Sequence, residues 1–215
     1  KKTTSEVGRE LVAVIANFFT KKHIFYYICF IILYRLAEGF IMKIAPLFLR
    51  ASREVGGLGL SLKEIGTLNG VFGSAAFVLG SLLAGIYVSK FGLKRTLFTL
   101  CCIFNLPFLA YTFLAVTQPT NVYLIGTCIT MEYLGYGFGF VGLTLFMMQQ
   151  IAPGKHQMSH YAFASGIMNL GVMLPGMVSG YFSDLLGYRN FFIYVLIATI
   201  PAFLITYFIP FTYDD

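Results

Sequence analysis

Long apolar runs separated by short polar clusters set the plan of this chain. Six of them are long enough to cross a bilayer, at about 23–49, 62–88, 96–116, 122–149, 160–186 and 191–210, because a spanning helix needs roughly 20 mostly apolar residues. Polar clusters at 50–57 and 153–159, with Pro119, Pro153 and Pro210, mark the boundaries. Pro107, Pro175 and Pro201 fall inside the runs, where membrane helices tolerate them if neighbours satisfy the freed carbonyls. The pattern predicts an all-α polytopic membrane bundle of six transmembrane helices. Upstream, Val7–Phe19 carries apolar residues at 7, 11, 12, 14, 15, 18 and 19 beside Lys21 and Lys22. That spacing predicts an amphipathic helix lying on the cytoplasmic surface of the membrane. The predicted organisation is a 1–22 linker, a 23–210 transmembrane domain and a 211–215 tail, and a chain that begins this way reads as the C-terminal piece of something longer.

Composition agrees: 58% of the 215 residues are hydrophobic and only 11% are charged, against about a quarter charged in a soluble domain. With no Trp, any interfacial aromatic belt must come from Tyr, and Tyr26, Tyr27, Tyr123, Tyr207 and Tyr213 fall near predicted helix ends. Cationic residues set the orientation. With the N-terminus inside, Lys1, Lys2, Arg9, Lys21, Lys22, Lys90, Lys94, Arg95 and Lys155 lie on the cytoplasmic side, and Arg50, Arg53, Lys63 and Arg189 outside. That bias predicts cytoplasmic N- and C-termini. It also accounts for the net charge of +6, so no nucleic-acid partner is implied. Cys29, Cys101, Cys102 and Cys128 lie within spans, without zinc-type spacing, and no metal or cofactor is expected. His23, His156 and His160 fall at the cytoplasmic edge, where interfacial solvation suffices to explain them. Small-residue pairs Gly135/Gly139 and Gly176/Gly180 predict close helix packing.

Two full charges stand out against this background. Arg35 and Glu38 interrupt the first run one helical turn apart, so they share a face and can neutralise each other. A charge at mid-membrane costs about 2.5–3.5 kcal/mol on insertion scales, and such residues face protein or a wet cavity. The other deep acid is Glu132 in the fourth run.

The chain also contains a repeat. Gly85, Ser89, Gly92 and Lys94 close the second run, and Gly180, Asp184, Gly187 and Arg189 close the fifth, at a constant offset of 95 residues. The same offset carries Glu38 to within one residue of Glu132. Three helices repeated twice, at 23–116 and 122–210, have opposite topology because three is odd. Inverted repeats of this kind are typical of secondary transporters, with sites near the midplane.

Six helices in a 3+3 arrangement behind a basic linker resemble the C-terminal half of a major facilitator superfamily transporter. The two glycine patterns resemble that superfamily's loop motif, Gly-x3-Asp-x2-Gly-Arg-Lys/Arg, with Gly85, Gly92 and Lys94 at its positions, Arg95 directly after it, and Ser89 and Leu93 departing from it. More narrowly, Leu33–Phe40, Glu64–Asn69 and Glu132–Gly137 are similar to segments of the AmpG-like muropeptide permeases. The resemblance implies proton-driven import of cell-wall fragments across a bacterial inner membrane. It implies also that the first helix of each triplet lines a central cavity, completed by an N-terminal six-helix half or a second copy.

On that footing Arg35, Glu38 and Glu132 are the candidate substrate and proton-coupling residues. Glu38 lies roughly 22 Å, and Glu132 roughly 25 Å, along its helix from the inner side. Burial raises a carboxylate pKa and a nearby guanidinium lowers it, so a group that exchanges those environments can carry a proton. Arg35 could instead hold a substrate carboxylate bidentately. The alternatives are a static Arg35–Glu38 pair and an interhelical hydrogen bond at Glu132. Tyr34, Lys43, Asn69, Tyr136 and Asn169 are polar enough to line a cavity, although hydrogen bonding between helices, or snorkelling for Lys43, serves as well. No nucleophile–base pair or metal signature points to an enzyme. A facilitator or exporter, or a membrane receptor with fixed charge pairs, remains open beside the proton-coupled transporter.

Overall fold

The computed structural model describes residues 3–214, and every regular element among them is helical. Helix α1 (Thr4–Phe19) is the predicted amphipathic one. Its first turn is closed by Glu6, whose carboxylate accepts the Thr3 N–H at 2.8 Å, and these hydrogen bonds hold the Glu6 pKa below its ordinary value. Val7, Leu11 and Val12 are exposed along one side, while Phe18 is buried. The buried face fixes the helix to the bundle. Phe18 packs edge-on to His160, and the His160 Nε2 lies 3.1 Å from the Val14 carbonyl. His160 is therefore fully enclosed and is not a solvated interfacial residue, because α1 covers it.

Five helical stretches are long and apolar enough to cross a membrane: Ile24–Arg50, Leu62–Phe91, Leu93–Thr117, Val122–Ile151 and Gln157–Tyr207. The first consists of α2 (Ile24–Tyr34) and α3 (Leu36–Arg50), which meet at Arg35, φ −106° and ψ 13°. The second begins as α4 (Leu62–Ile65), widens into a π-helical stretch over Gly66–Gly73, and continues as α5 (Ser74–Phe91). The third is α6 (Leu93–Asn105) and α7 (Phe108–Thr117), parted at Pro107, whose missing N–H and ring bulk disrupt a helix interior. The fourth is α8 (Val122–Phe146), ending in a π-helical turn over Met147–Ile151.

The last stretch comprises α9 (Gln157–Ala198) and α10 (Ile200–Tyr207), 51 residues in all. Inside α9 the backbone leaves helical geometry at Gly187, φ 73° and ψ 162°. Gly92, between α5 and α6, has nearly the same values, φ 81° and ψ 150°. Positive φ of this kind is open to glycine at little cost. The two glycines that aligned in sequence thus make the same turn.

Close approach of backbones organises the bundle. Association within lipid has little hydrophobic drive, so fit between helices matters more. Helix α5 packs against α8, α3 against α9, and α6 against α8. A side chain on Gly137 would strike the Phe77 carbonyl and the Ser81 amide; one on Gly80 would strike Leu134. Gly135 and Gly139 have the same role against Ile103 and Phe104, as expected. Gly180 differs from the expectation, having nothing within 4 Å, and Gly176 is in ordinary contact only. Phe30, Phe104 and Phe146 fill the spaces between these crossings.

Loops sort to two ends. At one end the Tyr27 hydroxyl donates to the Pro210 carbonyl at 2.9 Å, Gln150 accepts from the Thr212 and Tyr213 amides, and Lys21 donates to Pro153 at 2.6 Å. Both described ends of the chain are therefore tied to the same end of the bundle. Tyr27 is buried by these contacts and belongs to no interfacial belt. At the other end Arg53 donates to the Gln118 and Pro119 carbonyls at 2.7 and 2.8 Å.

Candidate functional site

The break at Arg35 places the two charges of the first span at a helix junction in the bundle interior. Arg35 and Glu38 are each only 5% exposed. The guanidinium grips the carboxylate with two bonds, Nε to Oε2 at 2.6 Å and Nη2 to Oε1 at 2.7 Å. This bidentate arrangement is among the strongest a side chain can make. Arg35 also lies over the Phe140 ring, 5.8 Å from its centroid. The sequence-predicted pair is thus formed and shielded.

Beside it lies a cavity of about 200 Å³ whose wall includes Glu38, Pro46, Asn69, Tyr111, Glu132 and Tyr136. Four spans meet there, Tyr111 coming from α7. Helix α3 contributes Glu38, the π-helical stretch contributes Asn69, and α8 contributes Glu132 and Tyr136. Glu132 makes no hydrogen bond or ion pair among the described residues, whereas Glu38 is held by Arg35. The Asn69 Oδ1 is buried and has no hydrogen-bond partner among the described residues. One cavity therefore presents one restrained carboxylate, one unrestrained carboxylate and an unused amide oxygen.

Other predicted residues fall elsewhere. Tyr34 is fully buried, stacked on Phe104 at 5.4 Å, with its hydroxyl donating to the Gly139 carbonyl at 3.1 Å; it packs α2 against α8 and does not line the cavity. Lys43 is exposed and lays its methylenes over Gly176. Asn169 is exposed on α9 and is not among the residues that line the cavity. Of the loop residues, Gly92 makes the turn described above, Lys94 Nζ lies 3.6 Å from Asp214 in an exposed pair, Arg95 is exposed, and Gly85 has no neighbour that requires a glycine. Tyr111 and Pro46 were not anticipated. Tyr111 comes from the third span, which carries no deep charge to draw attention, and Pro46 was hidden among apolar neighbours. Among the described residues no group of His, Cys, Asp and Glu could hold a metal ion.

A second hollow, about 800 Å³, opens between the starts of the second and fourth spans. Lys63, Thr67, Leu68, Phe72, Tyr123 and Thr130 are among its lining. It lies at the end of the bundle opposite the chain ends.

Comparison with known proteins agrees with this architecture. Residues 27–214 match the Major Facilitator Superfamily. The chain belongs to the major facilitator superfamily. Within that superfamily it is similar to the anhydromuropeptide permease of Escherichia coli (strain K12), 24% identical over 195 residues that cover 91% of this chain and 38% of the relative. It is similar also to the putative transporter AmpG 1 of Rickettsia felis, 26% identical over 82% of this chain and 38% of the relative. The putative transporter AmpG 2 of Rickettsia prowazekii is 27% identical over 93% of this chain and 47% of the relative. The chain spans less than half the length of these curated relatives. As a major facilitator protein with several membrane-spanning helices, it is an integral membrane protein of a transporter family.

Proposed function

We propose that this chain forms the C-terminal half of a secondary active transporter that takes up a polar organic solute together with protons by alternating access. The observation that carries the reading is the shared cavity: Glu38 restrained by Arg35, and Glu132 unrestrained, on two different spans. In this account Glu132 picks up the proton, because nothing else neutralises its charge in a poorly solvated site. Glu38 exchanges Arg35 for another partner during the cycle, and Arg35 then becomes free to take an anionic group of the solute. The relatives' names point to an anhydromuropeptide, a cell-wall fragment, as the solute. A bacterial inner membrane is the location proposed with this solute.

The topology belongs to this reading. Residues 157–207 would be about 77 Å long as one straight helix, more than twice a hydrocarbon core of about 30 Å. Division at Gly187 gives six crossings, an even number, in keeping with chain ends tied to one end of the bundle. The matching turns at Gly92 and Gly187 favour two inverted three-helix repeats, 23–116 and 122–210. Lys21, Lys94 and Lys155 lie near the chain ends, so those ends face the cytoplasm by the positive-inside bias. The linker helix α1 then lies along the inner surface, and an N-terminal six-helix half completes the path. Uptake of a labelled anhydromuropeptide by the full-length protein in proteoliposomes tests the proposal. Glu132→Gln should abolish accumulation driven by a proton gradient; accumulation at the unsubstituted level would remove Glu132 as the proton carrier.

A further inference from the structure

The two hollows are separated by one unusual piece of backbone. Gly66–Gly73 is π-helical over eight residues, whereas π geometry ordinarily occupies a single turn and recurs at functional sites. Thr67, Leu68 and Phe72 of this stretch line the larger groove, and Asn69 lines the acid-bearing cavity. One short segment therefore forms the wall between them.

Its ends are held by specific contacts, and between them Leu68 is buried against Gly126 of α8 while the two glycines stand unpacked. On the N-terminal side the Glu64 carboxylate accepts from the Ser61 amide at 2.8 Å and from its hydroxyl at 2.7 Å, while the Glu64 amide donates to the Ser61 hydroxyl oxygen. On the C-terminal side Gly73 lies under the Tyr133 ring, which a Cβ would approach to 2.9 Å. Between them, Gly66 and Gly70 would each place a Cβ in open space. Packing among the described residues gives no reason for glycine at either position. Glycine weakens a helix through the freedom it retains, and two such residues in a wide, poorly wound turn leave the segment free to rewind.

We propose that Gly66–Gly73 is the gate between the groove and the acid-bearing cavity, opened and closed by interconversion of π-helical and α-helical winding. In the π form Asn69 faces Glu38 and Glu132, with its amide oxygen free to accept from whatever enters. Rewinding to the α form changes the register of every residue between the fixed ends. Asn69 turns out of the cavity and the groove-side residues Thr67 and Phe72 move with it. The groove is then the vestibule from which the solute reaches the carboxylates. The consequence for uptake rests on the transport reading above, but the change of winding does not.

The test uses the full-length protein with Cys29, Cys101, Cys102 and Cys128 replaced by alanine and Asn69→Cys added as a reporter. Gly66→Ala and Gly70→Ala each withdraw backbone freedom worth at most roughly fivefold, so at most about 25-fold together, and both have room for the added methyl. Gly85→Ala, also with open space and outside the π stretch, is the control. Labelling of the reporter by a water-soluble maleimide should slow at least about tenfold in the double alanine variant, in line with that shift, and should not change in the control. In a second pair of proteins that keep Asn69, turnover for anhydromuropeptide should fall by a similar factor. Should the double variant not assemble, Gly70→Ala alone is read for a change of roughly fivefold. Unchanged labelling overturns the gate, whatever happens to uptake. Slowed labelling in a protein whose parent moves no solute supports the gate and removes the transport reading instead.

Discussion

Replacing Arg35 by glutamine removes both charge-assisted bonds to Glu38, at 2.6 and 2.7 Å, and strands a carboxylate that is 5% exposed. Breaking a buried pair from one side costs about 3–5 kcal/mol, since the remaining charge has lost its partner without regaining water. Glu38→Gln should cost a similar amount for the mirror reason. The double variant Arg35→Gln/Glu38→Gln carries no charge, and two amides can still hydrogen-bond across the helix junction. Its loss should therefore be smaller than the sum of the single losses by about 2 kcal/mol or more, as expected for residues in direct contact. Denaturant unfolding of the full-length protein in detergent, read for the two singles and the double, gives this coupling. Single losses that simply add, with a coupling near zero, would refute the claim that the two charges form one buried unit.

Further expectations follow from the packing and the capping. Gly137→Ala forces a methyl into the Phe77 carbonyl and Ser81 amide of the facing helix and should cost about 1–3 kcal/mol in the same unfolding measurement, whereas Gly85→Ala should be near neutral. Tyr34→Phe removes the bond to the Gly139 carbonyl and should cost about 1 kcal/mol while the KM for solute stays unchanged, because Tyr34 is outside the cavity. In α1 the Glu6 pKa is lowered by its bonds to Thr3, so the support it gives the first turn is present above the ordinary carboxylate value of 4.5 and is lost as pH falls through the lowered one. Hydrogen exchange at the first turn of α1 should speed up across that acid window, and Glu6→Gln should remove the pH dependence.

Much of the candidate site could be read from the chain because charges in apolar runs are costly enough to be rare. Arg35 and Glu38, one turn apart, had to find each other locally. Glu132 joined them through the offset of 95 residues, and Gly92 and Gly187 at that same offset make matching turns. Sequence does not fix the direction of a side chain around its helix. Tyr34 and Glu38 are four residues apart and would share a face on an unbroken helix, but they lie on either side of the break at Arg35, which no proline or glycine marks, and only Glu38 lines the cavity. Lys43 and Asn169 are polar within apolar runs, which does not reveal that both are exposed among the described residues. His160 was assigned to the solvated edge because nothing local records that α1 folds back over it. The π-helical stretch Gly66–Gly73 was likewise invisible, since its glycines fit an ordinary span equally well.

The central claim is that Glu132 couples solute movement to protons, and it is tested most directly by proton flux. With the full-length protein in vesicles holding a trapped pH-sensitive dye, adding anhydromuropeptide outside should acidify the lumen, and Glu132→Gln should abolish that acidification even if solute still exchanges. Acidification of equal size with Glu132→Gln, or solute accumulation with no proton movement in the unsubstituted protein, would contradict the account.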